Sequence, residues 1–157
     1  MACLGGGLAL AKGFETSGLS TWMGEEFQTI FSGSNPVFMV MGVSVFVAAV
    51  SEMTSNTATA AMTLPVLGPL AVAIKANPLL LMVPATVAAS CGFMLPVSTP
   101  PNAIVYGSGR LTINDMMKAG IVLDILAVFI ITLATFTLGA AIFGLTGEMP
   151  DWATAGK

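Results

Sequence analysis

Two short polar runs stand inside the apolar body of this chain. One is Ser51-Glu52-Met53-Thr54-Ser55-Asn56-Thr57; the other, from Met94 to Tyr106, carries Ser98-Thr99-Pro100-Pro101-Asn102. An interrupted helix in apolar surroundings leaves N–H and C=O groups open, and the break persists only where protein, water or a ligand satisfies them. At the first run a helical arm ends near Ser51 to Met53, where free carbonyls favour a cation. A second arm begins near Thr57, where free N–H groups and the positive dipole end favour a carboxylate or another oxyanion. Ser51, Ser55, Asn56 and Thr57 add side-chain oxygens and an amide donor. The second run repeats the pattern: the carbonyls of Leu95, Val97 and Ser98 close one helix, and a short helix from Pro101 and Asn102 offers its N-terminus beside Thr99. Neither run contains Arg or Lys. An anion held by dipoles and hydroxyls alone binds weakly unless a cation neutralises it, so each ion strengthens the other's site.

Composition says what surrounds these runs. The 157 residues are 55% hydrophobic and 8% charged, against about 25% charged in soluble domains, and mean hydropathy is +0.91. This is membrane composition. A net charge of −3 with five basic residues leaves no basic stripe for nucleic acid. Histidine is absent and no acidic cluster or nucleophile–base pair is visible, so the chain reads as a non-enzyme with no zinc centre and no organic cofactor. Cys3 and Cys91 sit in apolar segments and are expected as free thiols.

The elements that must hold the two runs follow from apolar periodicity and punctuation. Residues 1–12 read as the last turns of a spanning helix whose beginning is missing. Residues 13–35, with Trp22, Phe27 and Ile30 against Glu15, Glu25 and Glu26, suggest a helix on the membrane surface and a loop, or else a water-exposed loop. Pro36 suits a first helical position. The apolar arm Val37–Val50 covers only about 21 Å of a hydrocarbon core of about 30 Å. With the second arm, Ala58–Ile74, it predicts a re-entrant hairpin over 36–76, two full spans joined by a tight turn being the alternative. Residues 77–109 predict a discontinuous helix, its first half running Leu79–Leu95 with small residues suited to close packing. Thr112 and Asp115 resemble a helix cap. Residues 110–147 hold the last span, of which Ile125–Gly147 carries no charge, and 148–157 form a polar tail. Glu52 is either functional, as intramembrane carboxylates usually are, or bonded to the hairpin's own backbone. Asp124 is expected near the interface; Tyr106 and the methionines are expected to pack.

Ser55-Asn56-Thr57, preceded by Ser51-Glu52, resembles the second Ser-Asn-Thr motif of the divalent anion–sodium symporter family. The run Ala89-Ser-Cys-Gly-Phe-Met-Leu-Pro-Val-Ser-Thr-Pro-Pro-Asn-Ala-Ile-Val105 resembles that family's signature along its whole length. The likeness runs from about Gly5 to Phe143 and is nearest to bacterial dicarboxylate transporters of the succinate type. It implies an all-α integral membrane protein of the cytoplasmic membrane, here one inverted-repeat half: a re-entrant helical hairpin, a broken transmembrane helix and a final transmembrane helix. It further implies sodium-coupled symport of di- or tricarboxylates by an elevator movement, in homodimers, with C4-dicarboxylates such as succinate as cargo. Citrate or sulfate cargo, or a non-transporting membrane fragment, are the other readings. By matching positions, Ser51, Asn56 and Ser98 would help form a sodium site, and Ser55, Asn56, Thr57, Thr99 and Pro100 would line the substrate carboxylate site. The family's topology would put the hairpin base and carboxyl terminus outside, and Arg110 and Lys118 in the cytoplasm. The first Ser-Asn-Thr motif is not in this sequence, so a missing amino-terminal repeat is the expected partner.

Overall fold

The computed structural model describes residues 16–17, 35–145, 149–150 and 153. The segments read as a truncated helix (1–12) and a surface helix (13–35), and the tail (148–157), thus lie almost wholly outside the described residues. The regular elements among the described residues are all helices, with no strand.

Helix α1 spans Pro36–Met53 and starts where local chemistry dictates: Asn35 accepts from the Val37 amide at 3.2 Å, and Pro36 takes a position needing no N–H. Its buried residues, Val40, Val43, Ser44, Val47, Ala48, Ser51 and Glu52, follow helical spacing and carry the inward face to the polar run. Helix α2, Asn56–Ala73, is capped by Ser55, whose hydroxyl accepts from the Ala58 amide at 3.2 Å. It contains Pro65 and Pro69 and ends with Ala76 N–H on Ala71 O and Lys75 N–H on Val72 O, Lys75 taking a left-handed φ of 58°. Only Thr54 and Ser55 separate the arms. Each arm has 18 residues, about 27 Å long, and so exceeds the length the apolar runs suggest.

Helix α3, Pro78–Ala88, opens on an Asn77 cap and packs against both α1 and α2 more extensively than those two pack on each other. The arms therefore splay around it. Helix α3 stops at Ala88, not at Leu95 as the apolar run predicts, and residues 89–99 are turns and extended backbone. Gly92 and Pro96 weaken the helix there, and side chains of other segments, described below, hold the backbone open. Helix α4, Pro100–Gly107, starts at a Thr99 cap and buries none of its residues. Helix α5, Ile113–Ala134, begins at a complete capping box in which Thr112 and Asp115 bond each other's backbone. A π-helical turn, Thr135–Gly139, and a final turn α6, Ala140–Phe143, continue it. The combined helix starts twelve residues before the charge-free run, because Asp115 caps its first turn rather than interrupting it.

Among the described residues, two helices are long and apolar enough to cross a membrane: Pro36–Met53 and Ile113–Phe143. The core joins Val40, Val43 and Val47 of α1, Leu67 and Leu70 of α2, Leu80, Leu81 and Ala85 of α3, and Ile131 of α5. At the hairpin base, Asn77 Nδ2 donates to Gly144 O at 3.5 Å, and Leu145 folds back onto Gly139, so the base and the end of the last helix share one end of the bundle. At the other end α5 meets the break. A Cβ on Gly120 would fall 2.5 Å from Met94 Cα, so the two backbones touch there.

Candidate functional site

The two polar runs interlock. Glu52, buried at the end of α1's inward face, accepts from the Met94 amide at 2.9 Å through Oε1 and from the Leu95 amide at 2.9 Å through Oε2. Ser98 Oγ lies 2.7 Å from Glu52 Oε2 and 2.9 Å from the Glu52 carbonyl, its proton serving both. Ser51 Oγ donates to the Ala89 carbonyl at the end of α3 and lies 3.0 Å from Asn56 Oδ1. From the far side, Asn102 Nδ2 donates to Gly92 O at 3.0 Å and Leu95 O at 3.1 Å. The non-helical stretch 89–98 is thus wired through side chains of other segments, which is how it stays open away from water. Gly92 makes room: a Cβ there would sit 3.0 Å from Ser98 Cβ and 3.5 Å from Ser51 O.

The residues singled out from sequence divide into two layers. Ser51 and Ser98 are buried and Asn56 is half-buried, joined through Ser51–Asn56 and through Ser98 on Glu52. Ser55, Thr57 and Pro100 are exposed and Thr99 is half-buried. Ser55 and Thr99 are the N-caps of α2 and α4, so each break opens a helix N-terminus, as its polarity requires. Thr99 Oγ1 accepts from the Asn102 amide at 3.5 Å. One expectation is corrected: α3 ends at Ala88, so the Val97 and Ser98 carbonyls close no helix, and neither does the Leu95 carbonyl. It accepts from the Ser98 amide and Asn102 Nδ2, and the carbonyls that close the first half belong to Ala85, Val87 and Ala88.

Sequence reasoning left Glu52 undecided and missed Asn102. Glu52 bonds not its own hairpin but the backbone of the facing break. Its one legible signal was a carboxylate on the buried stripe of α1. Asn102, just inside a helix opened by two prolines, showed only as an amide beside a break. Asp124, expected near the interface, turns inward beside Glu52 and the Phe93 backbone, although neither of its buried oxygens completes a hydrogen bond.

Chemically, the inner layer offers oxygen lone pairs. The protons of Ser51 and Ser98 are committed to Ala89 and Glu52, so both hydroxyls turn acceptor sites to the remaining space. Asn56 Oδ1, 3.0 Å from Ser51 Oγ, joins them as a further acceptor. The outer layer offers hydroxyls and two helix N-termini without a fixed cation.

Comparisons along the whole chain show its relatives. The family model described as "Sodium:sulfate symporter transmembrane region" matches residues 1–145. A sodium-dependent dicarboxylate transporter, SdcS, of Staphylococcus saprophyticus is 47% identical over 146 residues, 93% of this chain and 28% of that protein. The human Na(+)/dicarboxylate cotransporter 3 is 45% identical over 150 residues, covering 96% of this chain and 25% of its own length. A Na(+)/citrate cotransporter of Rattus norvegicus is 46% identical over 150 residues, with 96% and 26% covered. The chain spans about a quarter of the length of these curated relatives. With 145 of its residues accounted for by one family model, the chain belongs to the sodium:sulfate symporter family, the divalent anion–sodium symporters.

Proposed function

We propose that this chain forms the C-terminal part of a sodium-coupled carboxylate symporter, with di- and tricarboxylates as cargo and a C4-dicarboxylate such as succinate preferred. The observation that carries the reading is the interlock of the two breaks through Glu52, Ser51 and Ser98. Sodium, as cargo, takes the oxygens of Ser51, Asn56 and Ser98, with nearby backbone carbonyls completing its shell. The substrate carboxylate takes Ser55, Asn56 Nδ2, Thr57 and Thr99, with Pro100 shaping the wall. Asn56 stands between the two ions, its oxygen toward one and its amide toward the other, so that the cation screens the anion and coupling follows.

The exposure of Ser55, Thr57 and Pro100 supports a site with one wall here and the other on a complementary amino-terminal repeat. The relatives bear names of transporters rather than enzymes. Elevator movement of the re-entrant hairpin and broken helix as one body, in a homodimer within the cytoplasmic membrane, is part of the same reading. The hydrogen bonds tying α1 to the break support their moving together.

The test is succinate-dependent thermal stabilisation of the purified chain in detergent, in sodium and in choline. Stabilisation in sodium alone is the expected result. Equal stabilisation in both salts would overturn the coupling. No response from a folded sample would mean that this part does not assemble the site alone and acts as a non-transporting fragment.

A further inference from the structure

Thr54 and Thr59 belong to neither layer of the site, yet they join the two arms of the hairpin at its tip. Thr54 follows α1 in extended backbone, and its hydroxyl donates to the Val50 carbonyl at 3.0 Å. That commits its one proton. Thr59 is buried on α2, and its Oγ1 is in hydrogen-bond contact with Thr54 Oγ1. Thr59 is therefore the donor of that pair, and the relay runs from the Thr59 hydroxyl through the Thr54 hydroxyl to the Val50 carbonyl.

The fold makes this link count. Helix α3 packs between the arms. Among the described residues, two side-chain hydrogen bonds cross from the first arm and its end to the second: Ser51–Asn56 and Thr54–Thr59. The first is a poor tie, because the single proton of Ser51 also serves the Ala89 carbonyl. Both its oxygens are moreover those that the proposed sodium site takes. The second uses no oxygen of either layer. It also closes the turn that carries the outer layer: the Thr59 amide donates to the Ser55 carbonyl at 2.9 Å, and the Ala58 amide to Ser55 Oγ at 3.2 Å.

We infer that Thr59 is a positioning residue, which by donating to Thr54 closes the turn from Ser55 to Ala58 and fixes the start of α2 against α1 with or without a cation. The closure stands on these bonds alone. Its consequence for sodium and succinate, through Ser55, Asn56 and Thr57, rests on the function proposed above.

Hydrogen exchange of the full chain in detergent separates the two. In the wild type the Ala58 and Thr59 amides should be protected in both sodium and choline. Thr59→Val keeps the shape of the side chain and drops the hydroxyl. In choline it should speed their exchange by about two- to tenfold, the range of one net hydrogen bond, with α5 unchanged. Thr59→Ser should restore protection. Denaturant unfolding of Thr54→Val, Thr59→Val and the double variant should show non-additive effects. Additive effects, failure of serine to rescue, or fast exchange of both amides in the wild type, which needs no variant, would each overturn the inference. Sodium should return part of the protection lost in Thr59→Val, by drawing Ser51 and Asn56 together. Equal loosening in sodium and choline would leave the Thr54–Thr59 closure standing and remove only the sodium site.

Discussion

Removing the Glu52 carboxylate should unfasten the break. In Glu52→Ala the amides of Met94 and Leu95, each bonded at 2.9 Å, lose their acceptor. Ser98 keeps a partner, because its hydroxyl already reaches the Glu52 carbonyl at 2.9 Å and that atom survives the substitution. The loss is therefore that of two stranded amides, each about 1–3 kcal/mol, or roughly 2–6 kcal/mol together. Against a typical unfolding free energy of about 5–15 kcal/mol this is a large share. Glu52→Gln keeps one acceptor oxygen and should lose about half as much. The assay is reversible denaturant unfolding in detergent, with hydrogen exchange read at the two amides. Wild-type stability in Glu52→Ala, with Met94 and Leu95 still protected, would refute the bracing argument.

Three further outcomes are expected. Gly120→Ala places a Cβ 2.5 Å from Met94 Cα and should destabilise by about 1–3 kcal/mol through overpacking; thermal unfolding unchanged from wild type would show that α5 and the break do not touch there. Asn102→Ala removes the donor to Gly92 O and Leu95 O and should cost about 1–3 kcal/mol, with faster exchange around residues 92–98 as the local readout. In calorimetric titrations of a binding-competent form, Asn56→Ala should weaken both sodium and succinate by about tenfold or more, a change of about 1.4 kcal/mol each. Thr99→Ala should weaken succinate more than sodium, and equal effects of the two substitutions on both ions would count against the assigned layers.

How far the sequence announced this structure depends on how local each determinant is. Asn35-Pro36, Ser55, Asn77-Pro78, Thr99 and Thr112 with Asp115 all cap helices where their types and spacing say they should, because capping is settled within four residues. The end of α3 was not legible. Residues 89–95 are apolar enough to continue a helix, with Gly92 and Pro96 the local breakers, and what holds the open backbone is Glu52, 42 residues upstream of Met94, together with Asn102. A window over that segment shows the breakers but not these partners. The last helix lies within the span expected over 110–147 and starts at the cap that Thr112 and Asp115 announce, whereas the inward turn of Asp124 was not legible. The site residues themselves were visible as types. Their sorting into a buried oxygen layer and an exposed donor layer required the packing of α3 between the arms.

The amides of Met94 and Leu95 are satisfied by a side chain made earlier in the chain. During synthesis the hairpin leaves the ribosome and enters the bilayer before the broken segment does. The acceptor is then already in place when the exposed amides arrive, and the break never has to cross lipid unescorted. Were the order of the two segments reversed, the open backbone would enter first, with nothing to receive it. In this arrangement the succession of elements along the polypeptide is itself a provision for membrane insertion.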